Sequence, residues 1–346
     1  MAQRPDSARS AASSALVVWS ALVGNLLVAA TKLAAALLTG SSALFSEAVH
    51  SFVDTGNELL LLWGLRRAEL LPDAQFPFGH GREVYFWSFV VAILVLSLGA
   101  GVSLFKGIAQ IITPNAIERP TVIFIVLALS ALFEGASWII SFRVFRRTGA
   151  HRPFWGALQG SKDPPKFVVL LEDSAALLGL AVAAVGTWLA ISLDEPRFDG
   201  LASVLIGLLL AAVALVVGAK TKDLLIGEGA SPELVKEVMQ IIASFEGVEH
   251  ANGVLTTQLA PDQVIAIASI AFADSLRTPQ IERLVEDIET AVVARRPEIG
   301  RLFVKPQTPQ AFDAALKDRF ESGVTPAARQ KRQRRERQSR GGRAKT

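Results

Sequence analysis

His50 and Asp54 stand four residues apart inside a long apolar run, in the stretch Ser46-Glu47-Ala48-Val49-His50-Ser51-Phe52-Val53-Asp54. On a helix that spacing stacks the two side chains on one face. Glu47 extends the stripe in one direction and Glu58 in the other. An ionisable group in hydrocarbon costs at least about 2.5–3.5 kcal/mol, so such groups mark ion or proton paths. A neutral imidazole beside a carboxylate is also a ligand pair for a borderline divalent metal. A second acidic pair, Glu172-Asp173, interrupts another apolar run and is expected to face protein or water rather than lipid. Bringing the two runs together gives one nitrogen and two or three oxygens at bilayer depth, for which tetrahedral Zn²⁺ is the simplest occupant.

The alternative is a buried ion-pair network that only fixes helix packing. Neither acidic run contains Lys or Arg, which weighs against it. Lys32 and Glu134, from two further runs, are candidates for such a pair; Glu134 is equally a candidate proton carrier. Cysteine is absent, which excludes disulfides, thiolate metal sites and cysteine nucleophiles. Any metal site must therefore draw on carboxylates and the four histidines His50, His80, His151 and His250. A metalloenzyme of the His-Glu-x-x-His type is excluded for want of that motif.

The elements that would position these groups follow from hydropathy. Of 346 residues, 51% are apolar, and the first two thirds is a series of runs about 20 residues long, the length that crosses a bilayer. Six spans are expected, near 16–38, 43–65, 84–111, 122–142, 167–189 and 201–217. No cleavable signal peptide is expected. Lys and Arg gather in alternate connections (Arg4 and Arg9; Arg66, Arg67 and Arg82; Arg143 to Lys166), which places both termini in the cytoplasm. The connection 70–81 holds Pro72, Pro77, Gly79 and Gly81 and should not be helical.

After Lys220 the pattern becomes that of a small α+β domain of order αββαβ. Ser231-Pro232-Glu233 opens a helix, 254–259 and 264–272 read as strands, 279–295 as a second helix and 301–304 as a last strand. Its core is modest, so dimerisation would help to stabilise it. Asn252-Gly253 reads as a turn, and His250 as no metal ligand. The division is thus 1–15 cytoplasmic segment, 16–219 membrane domain, 220–306 cytoplasmic domain and 307–346 basic tail. In the tail, 312–320 is a possible amphipathic turn. The run Arg329 to Arg337 is disordered by composition and suits anionic lipid better than nucleic acid.

The motifs resemble those of the cation diffusion facilitator family. Ser42 to Asp54 is similar to the signature of its second helix, and Asn25 and Lys32 match its first. Phe78-Gly79-His80-Gly81-Arg82-Glu83 resembles the element before its third helix, and Asp199-Gly200-Leu201-Ala202-Ser203 the start of its sixth. Val169-Leu170-Leu171-Glu172-Asp173 further resembles the family's zinc transporter nine subgroup.

The resemblance implies six membrane helices, a homodimer, a cytoplasmic metallochaperone-like domain and proton-coupled efflux of a divalent cation. The cation, Zn²⁺ first, is then substrate, with no tightly bound cofactor and no enzymatic activity. His50, Asp54 and Asp173 would be ligands. Relatives carry His or Asp where this chain has Val169, so the remaining ligand is open among Glu172, Glu47, a π-bulge that turns Glu172 inward, and water. Asp73 and His80 are a weak second site, with Gly79-His80-Gly81 as a simple turn the alternative. His50 and Glu134 are the proton-coupling candidates. A metal-gated channel or receptor, or a scaffold that has lost transport, are the rival readings. The Ala- and Arg-rich composition suggests the bacterial cytoplasmic membrane.

Overall fold

The computed structural model describes residue 22 and residues 26–117, 119–148 and 153–322. Arg4, Arg9, Asn25, His151, Arg152, the start of the first expected span and the basic run 329–337 lie outside the described residues. The described chain forms two compact units, 1–228 with 258–263, and 229–257 with 264–346.

Up to Glu228 the described residues of the first unit are helices and their connections. They comprise α1 (Leu26–Thr39), α2 (Ser42–Ala68), α3 (Glu83–Leu94) and α4 (Gly101–Ile112). Next come α5 (Pro120–Thr148), α6 (Phe154–Gly160), α7 (Pro164–Ser192) and α8 (Arg197–Ile226). A π-helical turn, Val95–Ala100, joins α3 to α4, so that Glu83–Ile112 is one continuous rod. The π geometry therefore falls in the third span, while α7 is regular α-helix through Glu172.

Among the described residues four helices are long and apolar enough to cross a membrane: Glu83–Ile112, Pro120–Arg147, Pro164–Ser192 and Arg197–Ile226. α2 has 27 residues but carries Glu47, Asp54 and Glu58. Those carboxylates are buried, and α2 is thereby a helix that must be shielded by its neighbours. Apolar side chains such as Phe105, Leu132, Trp188 and Leu215 remain exposed on the outside, as a lipid solvent requires. Inside, small residues bring helices close. A Cβ on Gly107 of α4 would meet the Gly200 carbonyl oxygen of α8 at 2.7 Å.

Two features depart from the sequence reading. α6 was not expected; it packs the Phe154 ring on Phe145 of α5 at 5.9 Å and buries Leu158. α8 runs to Ile226, beyond the expected end at 217, and stops at Gly227 in the left-handed conformation. Its last turns carry Lys220, which meets Glu228 at 2.9 Å, so charge there is paired and does not end the helix.

The second unit follows the order α9 (Pro232–Ala243), β1 (Val248–Ala260), β2 (Gln263–Phe272), α10 (Thr278–Arg295), β3 (Ile299–Pro306) and α11 (Pro309–Ser322). The sheet order is β1-β2-β3, and β3 is parallel to β2 with Ala266 opposite Leu302 and Ala268 opposite Val304. Parallel pairing needs a crossover, which α10 supplies. Ser231 Oγ accepts from the Leu234 N–H and starts α9. Val238, Ile242, Ile288 and Val292 from the two helices pack on Val264, Ala266, Ala268 and Ile270. The αββαβ order thus holds, and α11 follows it, longer than the expected turn at 312–320.

Asn252-Gly253 is not a turn. Both residues lie within β1. Asn252 Nδ2 donates to the Gln307 carbonyl at 2.7 Å and to Ser269 Oγ at 3.1 Å. Gly253 is there because the Phe312 ring lies against it; a Cβ would stand 2.5 Å from Phe312 Cζ.

Candidate metal site

One stripe of α2 carries Glu47, His50, Asp54, Asn57 and Glu58, all buried. His50 Nδ1 lies 3.2 Å from Asp54 Oδ2, as the four-residue spacing requires. His50 Nε2 and Asp54 Oδ1 are buried without a hydrogen-bond partner. A buried acceptor or donor left unmade costs about 1–3 kcal/mol, so the pair has coordination capacity that the protein itself leaves unfilled.

α7 brings Glu172 and Asp173 against this stripe from different directions. Successive residues of a helix point about 100° apart. Glu172 accordingly turns to α2, where Asn57 Nδ2 donates to Oε1 at 2.9 Å. Asp173 turns to α5, accepting on Oδ2 from Ser137 Oγ at 3.0 Å and Ser141 Oγ at 3.2 Å. Asp54 is near enough to both carboxylates to interact with them electrostatically. Val169 is buried one turn before Asp173 and offers no donor atom. Among the described residues no three His, Asp or Glu side chains converge closely enough to hold a metal ion. The structure therefore assembles His50 with Asp54, and sets Glu172 and Asp173 beside them in hydrogen bonds to Asn57 and the two serines.

Glu47 and Glu134 belong to a neighbouring cluster centred on Lys32. Lys32 Nζ meets Glu134 Oε1 at 2.7 Å, Glu47 Oε2 at 2.9 Å and Ser51 Oγ at 3.0 Å. Lys32 is completely buried, so it ties α1, α2 and α5 together through charge. Glu134 is thus the partner of Lys32, one of the two roles its sequence position allowed. Glu47 Oε1 lies over Gly179 of α7, at a spot where a Cβ would collide with it.

The N-terminus of α2 is fixed from α8. Asp199 Oδ2 accepts from the Ser42 N–H at 2.8 Å, Ser42 Oγ at 2.7 Å and the Ala43 N–H at 3.2 Å. Its Oδ1 accepts from Ser41 Oγ at 2.8 Å and Thr187 Oγ1 at 3.3 Å. A carboxylate at this helix end meets the positive pole of the backbone dipoles. Asn57, the α5 serines and this role of Asp199 escaped the sequence reading. Asn57 had a readable signal, since it follows Asp54 by three residues on the same stripe.

The other candidate positions are simpler. Asp73 Oδ1 accepts from the Gln75 and Phe76 N–H groups at 2.8 and 2.7 Å, and Oδ2 lies 3.2 Å from His80 Nε2. The Phe76 N–H chiefly, with His80 adding, holds the Asp73 carboxyl below the usual carboxylate range. The Phe76 ring packs on His80 at 4.5 Å. This is the turn geometry weighed against a second metal site. His250 is exposed on β1.

Comparison with known proteins agrees with this architecture. The cation efflux transmembrane domain matches residues 18–226. The proton-coupled zinc antiporter SLC30A9 (mitochondrial) of Xenopus laevis is 32% identical over 243 residues, covering 70% of this chain and 44% of the relative. The human SLC30A9 protein is 31% identical over 258 residues, 74% of this chain and 45% of its own length. The cation-efflux pump FieF of Escherichia coli O127:H6 is 27% identical over 288 residues, 80% of this chain and 90% of FieF. The chain thus spans less than half the length of the SLC30A9 proteins it matches and most of the length of FieF. With the matched domain filling more than half of its residues, the chain belongs to the cation efflux, or cation diffusion facilitator, family of membrane transporters, which are not enzymes.

Proposed function

We propose that this protein carries a divalent cation, Zn²⁺ first, out of the compartment that holds its two termini, in exchange for protons. The observation that carries this reading is the His50–Asp54 pair, buried in α2 with unfilled coordination capacity and faced by the α7 carboxylates. The names of the relatives, a proton-coupled zinc antiporter and a cation-efflux pump, support the cargo and the coupling. Imidazole with carboxylates suits Zn²⁺ best, while Mn²⁺, Fe²⁺, Co²⁺ and Cd²⁺ are compatible with it.

Coupling follows from competition between proton and metal. A dication binds only when the imidazole and carboxylates have lost their protons. An imidazole of ordinary pKa about 6.5 changes charge in the working range. Facing the cytoplasm, His50, Asp54, Asp173 and Glu172 take up the ion. After rigid-body rocking of the helices, protons from the far side displace it. Lys and Arg bias supports cytoplasmic termini. Composition supports a bacterial cytoplasmic membrane, and FieF is a bacterial relative. The small second unit supports a homodimer, and the basic tail an anionic lipid partner.

The test is metal-driven proton flux in liposomes. His50→Ala and Asp54→Ala should each abolish flux in protein that remains folded; undiminished flux in both rejects the site. Saturable flux that follows an imposed pH gradient supports a carrier. Ohmic, pH-indifferent current supports a channel instead.

A further inference from the structure

His50, Asp54 and Asn57 follow one another on α2 at spacings of four and three residues, so their side chains share one stripe. Asn57 is 0% exposed. Its two ends are treated differently. Nδ2 donates to Glu172 Oε1 at 2.9 Å, while Oδ1 is buried with no hydrogen-bond partner. The bond to Glu172 accounts for Nδ2 but leaves Oδ1 unexplained, a buried acceptor whose unmade hydrogen bond costs about 1–3 kcal/mol. On α7, Val169 is buried one turn before Asp173 and has no donor atom. His, Asp and Glu do not complete a coordination shell by themselves among the described residues. The neutral amide oxygen of Asn57, three residues along the stripe from Asp54 and on the side chain that holds Glu172, is a donor of the missing kind.

We propose that Asn57 is a specificity-determining residue of the metal site. Its Nδ2 holds Glu172 toward α2, and its Oδ1 is a neutral oxygen ligand for the dication bound by His50 and Asp54, in place of the ligand that Val169 lacks. This rests on the reading of His50 and Asp54 as the transport site. One nitrogen with several oxygens makes a harder donor set than the two-imidazole alternative, so the site should accept Mn²⁺ as well as Zn²⁺.

The test is calorimetry of the purified full chain with Zn²⁺ and Mn²⁺ separately, alongside thermal unfolding. Asn57→Leu should weaken Zn²⁺ binding about 10- to 100-fold, the range for loss of a supporting group, and weaken Mn²⁺ binding more, because the lost donor is oxygen. Val169→His added to Asn57→Leu should restore Zn²⁺ binding but not Mn²⁺ binding, an outcome that a purely structural asparagine does not produce. Asn57→Ser gives the same pattern should the leucine variant fail to fold. Unchanged binding in folded Asn57→Leu, or no recovery of Zn²⁺ on adding Val169→His, overturns the inference. His50→Ala and Asp54→Ala separate the two readings. If they abolish binding while Asn57→Leu does not, only the role of Asn57 fails; if they bind normally, the transport site fails with it.

Discussion

Lys32 Nζ lies 2.7 Å from Glu134 Oε1, joining two helices whose contributing residues are 102 positions apart. The ammonium is shared with Glu47, so two carboxylates depend on one buried cation. Removing one member of a buried ion pair costs about 3–5 kcal/mol, because the other charge is stranded. Lys32→Met is expected to lose about that much stability in thermal unfolding. Adding Glu47→Gln and Glu134→Gln should recover most of it, since the stranded charges are gone. No recovery would mean that Lys32 stabilises by its stem packing rather than by charge.

The Asp199 carboxylate of α8 holds the first turn of α2, whose N-cap is Ser41. It accepts backbone N–H groups of Ser42 and Ala43 together with three hydroxyls. Hydrogen bonds to a charged group contribute about 1.5–3 kcal/mol each. Asp199→Ala should destabilise by about 3–5 kcal/mol, with less than additive loss because the donors share one acceptor. Asp199→Asn, which keeps one acceptor oxygen, should retain part of the difference. Equal stability of the two variants would show that shape, not the acceptor, is what α2 needs.

Glu47 and Gly179 form a steric couple across α2 and α7. Gly179→Ala should cost about 1–3 kcal/mol through overpacking. In a Glu47→Ala background the same substitution should cost much less. A double-mutant cycle on unfolding free energy measures the coupling directly. A coupling near zero would remove the contact from the account.

Glu228 bridges Lys162 at 2.8 Å and Lys220 at 2.9 Å, just past the end of α8. Burial pushes its carboxyl up, but hydrogen bonds and charge from the two lysines outweigh burial, and the group sits below its ordinary value. A carboxyl lowered on folding stabilises above its unfolded pKa, about 4.3 for glutamate, and that stability is lost as pH falls below it. As pH falls from neutral through the unfolded glutamate value and below, the unaltered chain should therefore lose more thermal stability than Glu228→Gln does. Parallel pH profiles for the two proteins would refute this.

Local spacing made part of the site readable in advance. His50 and Asp54 are four residues apart on one helix, so their meeting at 3.2 Å needs no tertiary information. The apolar runs, the acidic interruptions and the αββαβ order are local in the same sense, being set by periodicity and caps. Misreadings arose where a distant residue overrides a local signal. Asn252-Gly253 carries turn residues, yet Gln307 and Phe312 hold it in a strand. The last expected span ends at 217, yet α8 continues through Lys220 to Ile226, its charge there paired with Glu228 just beyond.

By itself the sequence determined where the long apolar runs lie, which of them carry ionisable groups, and that a small α+β unit follows them, because hydropathy and helical period act within about twenty residues. Only the tertiary structure decided which acid meets which partner. Glu172 finds Asn57 across 115 residues, Asp173 finds the serines of α5, and Glu47 is drawn to Lys32. The reason is that a carboxylate excluded from water takes the best donor its neighbours present, and the neighbours are chosen by helix packing.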